Sequence, residues 1–195
     1  MSTQTTEAIN DRVKLPLTFD AERMLEEIRN MNLEEFTHYN VIPLRSPAHI
    51  VDPSRPFPPP ADDYADGSWT EWLNTPQLES SPYLTEVINT FRKHTDVTLV
   101  RILRLEPGGI LQRHTDPTLG LEIEKSVIRL TIPVYSNDQV QFLLNDTHVP
   151  MQNGECWYMR LTDPHEVLNP GETERINISI DMIPNDWVRS MILDN

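Results

Sequence analysis

A single cysteine, Cys156, stands in the 195 residues, so no intramolecular disulfide can form. It lies between Glu155 and Trp157 in a strand-like run, where a buried, inert thiol is expected. Cations are scarce as well: 16 Lys and Arg face 30 Asp and Glu, for a net charge of −14. That balance repels phosphate, so neither nucleic acid nor an anionic membrane surface is expected as a partner. No apolar run approaches the roughly 18 residues of a membrane-spanning helix. Residues 1–12 are polar, unlike a signal peptide. The expectation is a soluble, cytoplasmic protein. The length fits one domain with a proper core, and no internal repeat is visible.

Proline is the abundant breaker, with 17 occurrences. Its densest stretch, Asp52-Pro-Ser-Arg-Pro-Phe-Pro-Pro-Pro-Ala61, cannot be a central strand, because proline donates no ladder hydrogen bond. Residues 52–66 therefore read as a Pro-rich loop, either a surface connector or a lid. Residues 1–13 read as a disordered polar tail and 14–195 as one domain. Residues 20–30 predict an amphipathic helix, with Asp20 as N-cap and Met24, Leu25 and Ile28 on its apolar face. Residues 81–91 predict another, with Leu84, Val87, Ile88 and Phe91 as the buried stripe. From Val97 onward, short strands alternate with turns at Pro107-Gly108-Gly109, Gln152-Asn153-Gly154 and Asn169-Pro170-Gly171. Helices first and strands after predict a mainly β protein with flanking helices. Its expected form is a double-stranded β-helix (jelly roll, cupin-like barrel).

The chemistry-bearing pattern is His114-Thr115-Asp116, then His165, then Arg175. In an extended segment the outer residues of His-x-Asp point the same way. One metal can therefore take both ligands there, and His165 must come from another strand. Two imidazoles and one carboxylate on one face of an octahedral ion is the arrangement of non-heme Fe(II) oxygenases. Arg175 opens the β-branched run Arg175-Ile-Asn-Ile-Ser-Ile180. A bidentate guanidinium there suits the distal carboxylate of a dicarboxylic co-substrate. These residues suggest a 2-oxoglutarate-dependent iron oxygenase.

Longer blocks carry a resemblance. "SPYLTEVINTF" at 81–91, "VRILRLEPGGILQRHTD" at 100–116, "VIRLTIPV" at 127–134 and "GECWYMRLTDPHEVLNPGETERINISIDM" at 154–182 occur in that order. In these blocks the chain resembles the aspartyl/asparaginyl β-hydroxylase family of Fe(II)/2-oxoglutarate-dependent dioxygenases, which includes the bacterial proline cis-hydroxylases. The resemblance implies Fe(II) bound by His114, Asp116 and His165, with 2-oxoglutarate and O2 as co-substrates. It places Arg175 on the C5 carboxylate of 2-oxoglutarate and Arg129 near its C1 carboxylate. Thr131 stands where the family often has histidine in Arg-x-His, and Asn177 where related enzymes carry serine in Arg-x-Ser. The implied reaction is hydroxylation with release of succinate and CO2. The retained Asp116 argues against halogenation, which needs a small residue there. No side-chain general base is required.

The substrate expected from the resemblance is a small amino-acid-like molecule, free or tethered to a carrier protein. Arg101, Arg113 and Arg160 are the candidates for its carboxylate, and Asp163 for its ammonium group. Arg101 and Arg104 lie on opposite faces of one strand, so at most one faces the barrel interior. His38, His49, His94 and His148 are expected at the surface, and Trp69 and Trp72 as anchors or substrate contacts. The alternative is a metal-binding cupin: an isomerase, a 2-oxoglutarate-independent dioxygenase or a ligand-binding protein. Cupins normally supply His-x-His with a following glutamate, whereas this chain has His-x-Asp. Oligomeric state has no signature in the sequence.

Overall fold

A computed structural model of the chain describes residues 9–31, 41–60 and 66–195. The expected tail, apart from its last residues, lies outside the described residues, as do His38 and residues 61–65 of the Pro-rich loop. The chain begins with β1 (Arg12–Thr18), α1 (Ala21–Arg29), β2 (Val41–Pro47) and α2 (Ala48–Val51). Next come β3 (Trp72–Asn74), α3 (Pro76–Glu79), α4 (Pro82–Arg92), β4 (Val97–Leu105) and β5 (Ile110–His114). The remainder is β6 (Ile128–Tyr135), β7 (Gln141–Leu144), β8 (Thr147–His148), β9 (Glu155–Met159), β10 (His165–Leu168), β11 (Arg175–Met182) and α5 (Asp186–Leu193).

These strands form two antiparallel sheets, one ordered β1-β9-β6-β11-β4-β2-β3 and the other β5-β10-β7-β8. The larger sheet has two dissimilar faces because side chains alternate across it. Ile176, Ile178, Ile180 and Met182 of β11 join Ile128, Leu130 and Ile132 of β6 in a core that takes in Leu84, Ile88 and Phe91 of α4. The opposite face carries Arg175, Asn177, Ser179 and Asp181 beside Arg129 and Thr131, all turned away from that apolar core. On β9 the alternation continues: Cys156 and Tyr158 face the helices, and Trp157 and Met159 pack with Phe142 and Val167 between the sheets. The predicted jelly roll is thus present, with a polar floor.

The two predicted helices are α1 and α4. Asp20 caps α1 by accepting from the Glu22 and Arg23 amides, and the predicted stripe of α4 is fully buried. The tail expectation needs correcting at its end, because Arg12 and Val13 begin β1 rather than continue disorder. The Arg12 guanidinium donates to the carbonyls of Thr147 and Leu144, tying β1 to the smaller sheet. Cys156 is buried, and burial pushes its thiol pKa far up, as an inert thiol requires. No helix among the described residues is long and apolar enough to cross a membrane.

Candidate metal centre and its arginines

The sheet register brings the three predicted ligands together. His165 opens β10 directly opposite His114, the last residue of β5. Directly opposed residues on one face approach closely, and the two rings lie 4.2 Å apart. Asp116 follows β5 and is fixed by its backbone N–H, which donates to Leu161 O at 2.8 Å. Its carboxylate comes within 3.7 Å of His165 Nε2. One ligand atom from each of His114, Asp116 and His165 lies within 4.8 Å of the others.

Both imidazoles are oriented by backbone. His114 Nδ1 lies 2.7 Å from Gln112 O, and His165 Nδ1 lies 3.0 Å from Asp163 O. Against a carbonyl each Nδ1 carries the proton, which leaves Nε2 as the lone pair for a metal. His165 is 3% exposed. Burial, helped by the neighbouring His114, holds its pKa below the ordinary imidazole value, so the neutral, ligating form is favoured. The donor set fits a ferrous ion with three protein ligands on one face.

Three arginines line the polar floor, each in a different state. Arg129 donates through Nε and Nη2 to Asp181 at 2.7 and 2.8 Å, and its Nη1 reaches to 3.6 Å from Asp116. Burial works against its charge, but Asp181 and then Asp116 outweigh that and raise its pKa. Arg175 is 7% exposed, donates to the Asn177 side-chain oxygen and meets no carboxylate among the described residues. Burial alone pulls its pKa down to about 10. Arg101, paired with Ser179 across β4 and β11, faces the same interior, while Arg104 points to the other side and pairs with Glu174.

Two of the expected substrate contacts lie elsewhere. Arg113 is exposed and held by Asp146, because on β5 it alternates with His114 and so turns away from the metal position. Arg160 binds Asp163 through Nε and Nη2 at 2.9 and 2.7 Å and also donates to Ile9 O, a structural tie for the start of the chain. Asp163 is thereby engaged as well and does not enter the site. Of the remaining histidines, His94 stacks on Trp187 and His49 packs against Phe57 and Trp69. Trp69 and Trp72 meet edge to face at 5.7 Å and line a cavity of about 340 Å³ with Asp116, Leu119, Arg129 and Asp181. Arg175 lines a further cavity of about 410 Å³ with Phe142 and Val149.

Sequence reasoning missed Asp181 and Ser179. Their signal was the alternation itself: continuing inward from Arg175 and Asn177 by twos reaches both.

Comparison with known proteins bears on this arrangement. A family model described as aspartyl/asparaginyl beta-hydroxylase matches residues 64–184. An L-proline cis-4-hydroxylase of Rhizobium meliloti is 27% identical over 61% of this chain and 43% of its own length. The chain thus spans less than half of that curated relative. Among solved structures, an oxidoreductase of the 2OG-Fe(II) oxygenase family from Burkholderia pseudomallei gives a TM-score of 0.53 at 16% identity, covering 89% of this chain and 84% of that one. A Pseudomonas putida prolyl-4-hydroxylase gives 0.51 at 14% identity, covering 90% and 94%. These two likenesses show the fold. The match to the family model spans well over half of the sequence, and the chain belongs to the aspartyl/asparaginyl β-hydroxylase family.

Proposed function

We propose that the protein is an Fe(II)- and 2-oxoglutarate-dependent dioxygenase that hydroxylates an amino acid or an amino-acid-derived small molecule. The observation that carries this reading is Arg175, a buried guanidinium without a carboxylate among the described residues, on the barrel that also presents His114, Asp116 and His165. A buried unpaired cation is costly unless an anion completes it. The distal carboxylate of 2-oxoglutarate would do so, with Asn177 holding the guanidinium in place. The proline hydroxylase relative supports an amino-acid-like substrate.

The chain's own residues divide the work. His114, Asp116 and His165 would hold the iron. Arg175 would anchor 2-oxoglutarate at C5, and Arg129, steadied by Asp181, would face its C1 carboxylate beside Thr131. Bound iron with O2 and 2-oxoglutarate would supply the oxidation, yielding succinate, CO2 and the hydroxylated substrate. Trp69 and Trp72 wall the cavity beside Asp116 and would keep bulk water from it.

The test is succinate formation from 2-oxoglutarate by iron-loaded protein exposed to oxygen with a panel of amino acids, beside a His165→Ala control. Stimulation by an amino acid, lost in the control, is the expected result. No succinate from protein with iron bound at full occupancy would overturn the reading and favour a 2-oxoglutarate-independent cupin.

A further inference from the structure

Of the seven arginines in the second half of the chain, four pair with an acid; of the rest, Arg175 donates to Asn177 and Arg189 to Leu121 O, which leaves Arg101. Arg104 meets Glu174, Arg113 meets Asp146, Arg129 meets Asp181 and Arg160 meets Asp163. Arg101 meets no acid within ion-pair distance among the described residues, and its Nε is buried without a hydrogen-bond partner. Directly across the β4–β11 ladder, the Ser179 hydroxyl is buried and unpartnered too, in a residue only 1% exposed. Two orphaned donors side by side on the floor of a barrel are rare, because buried polar groups are nearly always satisfied.

Charge points the same way. On this floor the guanidiniums of Arg101, Arg129 and Arg175 face the carboxylates of Asp116 and Asp181. A divalent iron and dianionic 2-oxoglutarate would add no net charge, so among the described residues one positive charge stays uncompensated. Burial, then the nearby Arg129, lower the Arg101 pKa, as expected of a cation lacking its counter-ion. Asp181 and Asp116 act on Arg101 only from a distance, since Asp181 is held by Arg129 and Asp116 by the metal position.

Resting on the reading of the site given above, we propose that Arg101 and Ser179 form the receptor for a free carboxylate of the substrate. The substrate class then narrows to free amino acids and other small monocarboxylates. Esterification to a carrier or incorporation within a peptide turns the carboxylate into a neutral carbonyl. The buried Nε of Arg101 would then stay without a partner and its charge uncompensated, so tethered and internal residues are rejected.

The experiment is anaerobic calorimetry on protein loaded with Fe(II) and 2-oxoglutarate, titrated with a panel of amino acids, L-proline first, and with their carboxamides. The best free acid should bind about 100-fold more tightly than its amide, the size of a charge-assisted pair lost. Arg101→Gln should weaken the acid roughly 30- to 100-fold, leave the amide unchanged and move 2-oxoglutarate affinity less than about threefold. Ser179→Ala should cost the acid a few-fold. Because Arg101 has no ion-pair or hydrogen-bond partner to lose among the described residues, its variant should melt no lower than the wild type, which separates recognition from folding. Amides binding as well as acids, or no free acid binding at all, would overturn the proposal. So would a loss in Arg101→Gln that falls on 2-oxoglutarate, which would assign the residue to the co-substrate instead. Acid-over-amide binding that persists in a protein forming no succinate would keep the receptor and reject the oxygenase reading.

Discussion

Replacing Asp181 with asparagine tests the electrostatic architecture of the site more sharply than replacing a ligand. Asp181 is 4% exposed and accepts two short bonds from the partly buried Arg129. Removing one partner of a buried ion pair costs ~3–5 kcal/mol, because the other charge is left uncompensated. Here Asp116 lies 3.6 Å from Arg129 Nη1 and compensates in part. That puts the expected loss at the lower end, about 3 kcal/mol. In a chain of this length each kcal/mol lowers Tm by ~2–4 °C, so Asp181→Asn should melt roughly 6–12 °C lower after chelation. A second effect follows from the same geometry. Arg129, released from Asp181, would pair fully with Asp116 and compete with iron for that carboxylate, lowering Fe(II) affinity about tenfold. Circular dichroism melts of the metal-free protein and anaerobic Fe(II) titration measure the two effects. The double variant Arg129→Leu, Asp181→Leu should recover most of the melting loss, since burying neither charge is nearly neutral. An Asp181→Asn protein melting within about 2 °C of wild type would refute the reasoning, given the conversion above. So would a double variant as unstable as the single.

Other predictions come from separate parts of the chain. Arg175→Leu should raise the 2-oxoglutarate dissociation constant about 100-fold or more, measured by titration without oxygen, while leaving metal affinity within a few-fold. Beside Asp11 the hydrogen-bonded Arg12 guanidinium holds the carboxyl at about 2, against an ordinary 3.8. A depressed carboxylate stabilises the fold above its unfolded value and loses that as pH falls through the folded one. Asp11→Asn should thus cost about 1 kcal/mol at neutral pH, discounted for solvent screening, with the difference vanishing between pH 3.8 and about 2 in melts across that range. Gly154 has φ +86°, and a Cβ there would stand 2.3 Å from Phe19 O. Gly154→Ala should lose about 2 kcal/mol or more in urea unfolding, and an unchanged midpoint would contradict the geometry.

What could be read from the sequence was whatever rests on local chemistry. The Asp20 cap and the stripe of α4 declare themselves by spacing. His114 and Asp116 do so through strand alternation, and His165 by sitting at a strand end. What stayed hidden depends on partners distant in sequence. β1 was missed although Val13, Leu15 and Leu17 alternate along it, because the run is short and broken by Pro16, and its strand character comes from pairing with β9. Arg101, Arg113 and Arg160 looked equivalent in sequence. Only the fold shows that Asp146 and Asp163 engage two of them, while Arg101 meets no acid among the described residues. Asp181 lay one inward step past Ser179 and gained meaning only from Arg129 on the neighbouring strand.

The bonds from His114 and His165 to the carbonyls of Gln112 and Asp163 bear on how such a site can diversify. Each ring is aimed by the main chain two residues before it, so no neighbouring side chain is needed to set its tautomer. Side chains around the iron position can then be exchanged by mutation without re-aiming these two ligands. A new pocket can be sampled one substitution at a time while both rings keep their aim. The metal site is in this sense insulated from its own specificity, which lets one barrel serve many substrates.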